Sequence, residues 1–165
     1  MMLFVALGAG PARPNTPEAL KAPANEEVIL ATHGTGVQIY VCRADMGQNP
    51  AWVLKAPDAN LTDEAGNKVI HHFAGPTWKD VDGSVVTGKV ITKLDAPDHD
   101  AVPWLLLSAA SHTGEGILAR VTTIQRIHTH GGLPPKAGEC NASSNGREVR
   151  SAYSTEYYFY TSRKE

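Results

Sequence analysis

Val28-Ile29-Leu30-Ala31-Thr32-His33-Gly34-Thr35-Gly36-Val37-Gln38-Ile39-Tyr40-Val41-Cys42 is the stretch that decides the fold class. Both arms are rich in β-branched and aromatic residues, which suit an extended, half-buried chain. The Gly34-Thr35-Gly36 triplet between them predicts a hairpin turn and puts Cys42 on a strand. The same grammar continues outward. Trp52-Val53-Leu54 is a short apolar segment, and the turn residues Glu64 to Asn67 precede a strand predicted over Lys68–Phe73. Gly75-Pro76 breaks that run, and Asp82-Gly83 marks a further turn before a long segment from Ser84 to Leu94, with a kink expected at Gly88. Val102 to Ala110 reads as a buried strand or a short core helix, the β surroundings favouring a strand. Ile117 to Ile127 is predicted as a strand, and the last is expected to start near Val149 and carry Tyr153, Tyr157, Tyr158, Phe159 and Tyr160. The pattern predicts an all-β, single-domain antiparallel β-sandwich or barrel over residues 26–165.

Composition narrows the function classes. The chain has 165 residues, 42% hydrophobic and 19% charged, enough for one globular domain. Fifteen Lys and Arg against seventeen Asp and Glu give a net charge of −2, so no overall positive field is available to hold a nucleic acid. Fifteen Gly and eleven Pro, spread along the chain, suit many short segments joined by turns rather than a helical bundle. Residues 1–12 open with the apolar run Met1–Ala9, which reads as a signal-peptide remnant or as an apolar N-terminal arm able to self-associate. It is too short to span a bilayer, which takes roughly 20 residues as a helix, and no later run does better, so no integral membrane segment is expected. Residues 13–25 read as a Pro-rich linker. In an exported chain, Cys42 and Cys140 predict one disulfide, with two buried free thiols as the alternative; neither has metal-ligand spacing.

A series of motifs is more specific than composition: Gly36-Val37-Gln38-Ile39-Tyr40-Val41-Cys42, His72-Phe73-Ala74-Gly75-Pro76-Thr77-Trp78, Asp82-Gly83-Ser84, Pro103-Trp104-Leu105-Leu106, and Ile124-Gln125-Arg126 with Thr129 and Gly131-Gly132. With Cys140 and the Tyr-rich end, their order resembles the domain of unknown function family 3455 from about Pro17 to Tyr160. The resemblance implies a small exported β domain with paired cysteines, mostly of secreted bacterial and fungal proteins. It implies no activity. His71, His128 and His130 stand where the family pattern usually has other residue types.

Two constellations could carry chemistry. Gly75-Pro76 predicts a tight bend that brings His72 and Trp78 together, one titratable ring beside one large aromatic face, suited to a small molecule or glycan. Asp82 and Arg126 complete this candidate ligand-binding set; the alternative gives Trp78 to the core, His72 to a turn carbonyl and Asp82 to a hairpin turn, with Arg126 satisfying carbonyls or a carboxylate such as Glu156. His128-Thr129-His130 places two imidazoles on one side of a strand, and His71 could add a third ligand for a divalent metal. No cofactor is otherwise implied: there is no strand–GxGxxG–helix unit for a dinucleotide and no GxSxG elbow. The expectation is a secreted, extracellular or periplasmic, non-catalytic binding or surface-structural domain whose partner is a small molecule, a glycan or a second copy. The alternative is a metal-dependent or hydrolytic enzyme using His72, His128 and His130.

Overall fold

The computed structural model describes residues 10–44 and 49–163. The apolar run Met1–Ala9, and with it the self-associating arm, lies outside the described residues. Eight antiparallel strands follow one another around a closed barrel: β1 (Glu26–Arg43), β2 (Ala51–Thr62), β3 (Lys68–Phe73), β4 (Thr77–Asp80), β5 (Val85–Leu94), β6 (Trp104–Thr113), β7 (Thr123–Gly131) and β8 (Glu148–Ser162). Of the two all-β architectures expected, the barrel is the one formed. Closure comes from β8 lying along β1, paired from Glu26 opposite Ser162 to Val41 opposite Glu148 with one register shift between Val28 and Leu30. Among the described residues no helix is long and apolar enough to cross a membrane.

The opening stretch behaves differently from its hairpin expectation. Gly34-Thr35-Gly36 makes no turn, and β1 runs straight through it for 18 residues, pairing with β2 on one side and β8 on the other. The glycines serve close approach instead. A β-carbon at Gly36 would stand 2.1 Å from the Asp58 carbonyl oxygen, and one at Gly34 would press on the Tyr157 ring. Removing both lets the long strand coil tightly and frees interior space for an aromatic residue. Gly88 acts alike: the β5–β6 register shifts there, and a β-carbon would stand 2.9 Å from the Trp78 ring.

Inward-facing residues Leu61, Ile70, Val86, Leu107, Ile124 and Phe159 fill the barrel. Val102–Ala110 falls in the strand β6, as favoured. Ile117–Ile127 is only in part a strand, because Ile117–Arg120 makes a 3-10 turn that tucks Leu118 into the barrel before β7 begins. Leu118 and Val121 are fully buried, and they plug that end.

Residues 13–25 are not a free linker. Their Pro content suits an extended run, but Leu20 and Ala22 are apolar, and burying them docks the segment on the outside of the barrel. The Gln125 amide donates to the Leu20 carbonyl (2.6 Å), the Tyr160 hydroxyl donates to Gln125 (2.6 Å), and Arg13 lies over the Tyr160 ring while donating to the Ala22 carbonyl. At the end opposite the plug, Cys42 and Cys140 form the expected disulfide, joining the end of β1 to the β7–β8 loop across 98 residues.

Candidate functional site

The β3–β4 turn carries His72 and Trp78 into the barrel as directly opposed cross-strand partners. Their rings stack at 4.4 Å with a 10° interplanar angle, and Tyr157 of β8 meets both edge-on. The His72 Nδ1 atom is 2.9 Å from the Thr77 carbonyl oxygen. A carbonyl can only accept, so Nδ1 carries the proton and Nε2 keeps a lone pair. Burial, with a smaller contribution from the Arg126 charge, pushes the His72 pKa down to about 3 against the opposing Thr77 hydrogen bond, so the ring is neutral at physiological pH.

These rings form the floor of a cavity of about 280 Å³ at the unplugged end. Its walls are apolar: Leu54 and Pro57 from β2, Pro76 from the turn, Val90 from β5, and Leu105 and Leu107 from β6. Arg126 faces it from β7. The guanidinium donates through Nε and Nη2 to the Pro103 carbonyl at 3.1 and 2.8 Å, and among the described residues it forms no ion pair with a carboxylate. Lys55, the other cation on the rim, is neutralised by Glu148. Two of the lining side chains, Gln38 and Trp78, are 2% and 1% exposed and each keeps a buried polar atom without a partner, Oε1 and Nε1, as do Thr16, Glu26 and Trp104 elsewhere in the molecule. Unpaired buried polar atoms are costly in a native interior and call for an explanation. Burial raises the Tyr157 and Tyr153 hydroxyl pKa values, so both are protonated; their oxygens are 3.3 Å apart.

Of the four residues expected to bind ligand, His72, Trp78 and Arg126 share this lining and Asp82 does not. Asp82 sits at the plugged end, where it accepts from the Ile117 backbone N–H (2.8 Å) and from the Ser84 hydroxyl, and Ser84 in turn accepts from the Leu118 N–H. The Ser84 and Ile117 hydrogen bonds hold its carboxyl below the usual aspartate range. Its work is to clamp the plug. Arg126 takes the carbonyl expected of it, whereas Glu156 pairs with His128.

The three histidines proposed as metal ligands are not brought together. His71 faces outward against Asp58 (2.9 Å), His128 bonds Glu156 (2.5 Å), and His130 lies 3.7 Å from Asp98. A positive φ at His128 and a register shift between Ile127 and His130 break the regular alternation on which the shared face depended. Among the described residues no group of three His, Cys, Asp or Glu side chains could hold a metal ion.

Gln38 and Tyr157 are lining residues the sequence reading passed over. Their signal was position: Gln38 lies two residues from Gly36 and two from Tyr40 along β1, so all three share a face.

Residues 23–161 match the family model described as "Protein of unknown function (DUF3455)". No curated protein and no solved structure matches the chain. The match covers most of the chain, which therefore belongs to the DUF3455 family.

Proposed function

We propose that this member of the DUF3455 family is an exported, non-catalytic binding domain that takes a small, largely apolar molecule into the open end of its barrel. One observation carries the reading: an apolar-walled cavity at the open end of the barrel has on its lining a guanidinium, that of Arg126, which meets no carboxylate among the described residues, the usual make-up of a ligand pocket. The volume lies just below the roughly 300–1,000 Å³ typical of drug-sized ligands, which points to a compact one. Among the described residues the lining has no Ser, Thr, Cys, Asp or Glu, and its Lys55 is paired with Glu148, which supports binding over turnover. The apolar Met1–Ala9 run and the Cys42–Cys140 bridge support export.

A protein-observed NMR screen of small fragments tests the binding reading. Hits should shift the Trp78 indole and Leu107 methyl signals, and Leu54→Trp, which puts a bulky side chain at the rim, should weaken them. Failure of every fragment to move those signals at concentrations of about 1–10 mM would overturn it. Export is tested by fractionating cells with thiol alkylation. Recovery from the cytoplasm with both cysteines alkylated would rule it out.

A further inference from the structure

Arg126 is the most unusual group in the cavity, because it is a partly buried charge with no carboxylate beside it among the described residues. Of the five guanidinium N–H groups, two go to a single neutral carbonyl, that of Pro103. The charge is nevertheless felt throughout the site: it acts on Tyr40, His72, Tyr153 and Tyr157, in each case favouring the less positive form. Nearby acids are engaged elsewhere. Asp58 holds His71 and Arg150, Glu148 holds Lys55, and Glu156 holds His128. A cation with donors to spare and apolar walls around it together make a site for an anion with a hydrophobic body.

Resting on the binding function proposed above, we infer that the ligand is a small organic carboxylate, its anionic head held by Arg126 and its apolar body against Leu54, Val90, Leu105 and Leu107. A planar guanidinium matches a carboxylate with two parallel hydrogen bonds, stronger than those to a neutral amide oxygen.

The test compares two near-isosteric probes, 3-phenylpropanoate and 3-phenylpropanamide, titrated into the whole disulfide-bonded protein at about pH 7, where the acid is ionised. For probes this small, dissociation constants of about millimolar order are expected. The acid should bind about tenfold more tightly than the amide and shift the Arg126 Nε–H and Trp78 Nε1–H signals. Arg126→Gln should lower acid affinity by about tenfold and leave amide affinity within about threefold, whereas Lys55→Met should leave the acid preference intact. Equal affinity of acid and amide for the wild-type cavity would overturn the carboxylate assignment while the binding function stood. Loss of the preference in Lys55→Met but not in Arg126→Gln would overturn the role of Arg126. If neither probe perturbs the cavity while other, uncharged fragments do, the carboxylate assignment alone falls; if nothing binds there, both readings fall. Should Arg126→Gln not fold, the wild-type comparison and Arg126→Lys, expected to keep a preference for the acid, decide the question.

Discussion

At one end of the barrel Leu118 and Val121 close the interior over Phe159 and Ile124, and the buried Ser84 hydroxyl both donates to Asp82 and accepts from the Leu118 N–H. At the other end the interior is lined by His72, Trp78, Arg126 and Gln38, and the Arg126 guanidinium meets no carboxylate among the described residues. The same eight strands line both ends, so the contrast does not come from the fold. It comes from which side chains sit on a handful of inward positions. An apolar plug suits an end that is packed shut; an unmatched cation within apolar walls suits the binding function proposed for the other.

The comparison can be broken in several ways, the largest first. Among the described residues the open end has no apolar plug, and the Cys42–Cys140 bridge ties its loop. Replacing both cysteines with Ala should cost on the order of 4–5 kcal/mol by the chain-entropy account, read as a lower urea midpoint, with amide exchange accelerated most over residues 131–148. Uniform acceleration would show that the bridge does not serve that end in particular. At the plugged end, Phe159→Ala should cost about 3–5 kcal/mol while leaving ligand affinity within about twofold; a large affinity loss would show the two ends are coupled.

Acid should act through the open end. Above the ordinary histidine value of 6.5, His72 is neutral in both folded and unfolded chains. Below it the unfolded chain takes up a proton that the folded chain refuses until about pH 3. Stability should therefore fall with falling pH, by up to about 1.4 kcal/mol per unit from this residue alone, or about 2–3 kcal/mol between pH 6.5 and 4.5. Thermal unfolding across that range should show it, and His72→Asn should flatten the slope; an unchanged slope would place the acid response elsewhere. The smallest effect is expected from Asp82→Ala, about 1–2 kcal/mol, since it leaves the Ser84 hydroxyl and the Ile117 N–H without their acceptor. If the variant weakens ligand binding as strongly as Arg126→Gln, the separation of the two ends is wrong.

Strands were legible in this sequence because β-branched runs between turn residues have few other solutions. Where sequence and structure differ, one reason recurs: local composition does not say what a segment touches. Gly34 and Gly36 have the look of a turn, but they are glycines because Asp58 and Tyr157 come close. The Pro-rich 13–25 segment has linker composition, yet Leu20 finds a buried seat beneath the Gln125 amide. A sandwich could not be told from a barrel, since the difference lies in one long-range pairing, β8 with β1. In the cavity, His72 and Trp78 were legible as neighbours because a short turn joins them. Gln38 and Tyr157 reach it from strands far apart in sequence, and no local pattern could join them. The histidine trio failed on geometry: His71, His128 and His130 each face outward toward a different acid.

The seam between β1 and β8 has a consequence for how the molecule comes into being. Each other strand pairs with its neighbour in the chain, but the first strand must hold one flank open until the last has emerged from the ribosome or crossed a membrane. A nascent chain stopped before Glu148 would expose the whole outer flank of β1, an adhesive ribbon that chaperones would have to shield.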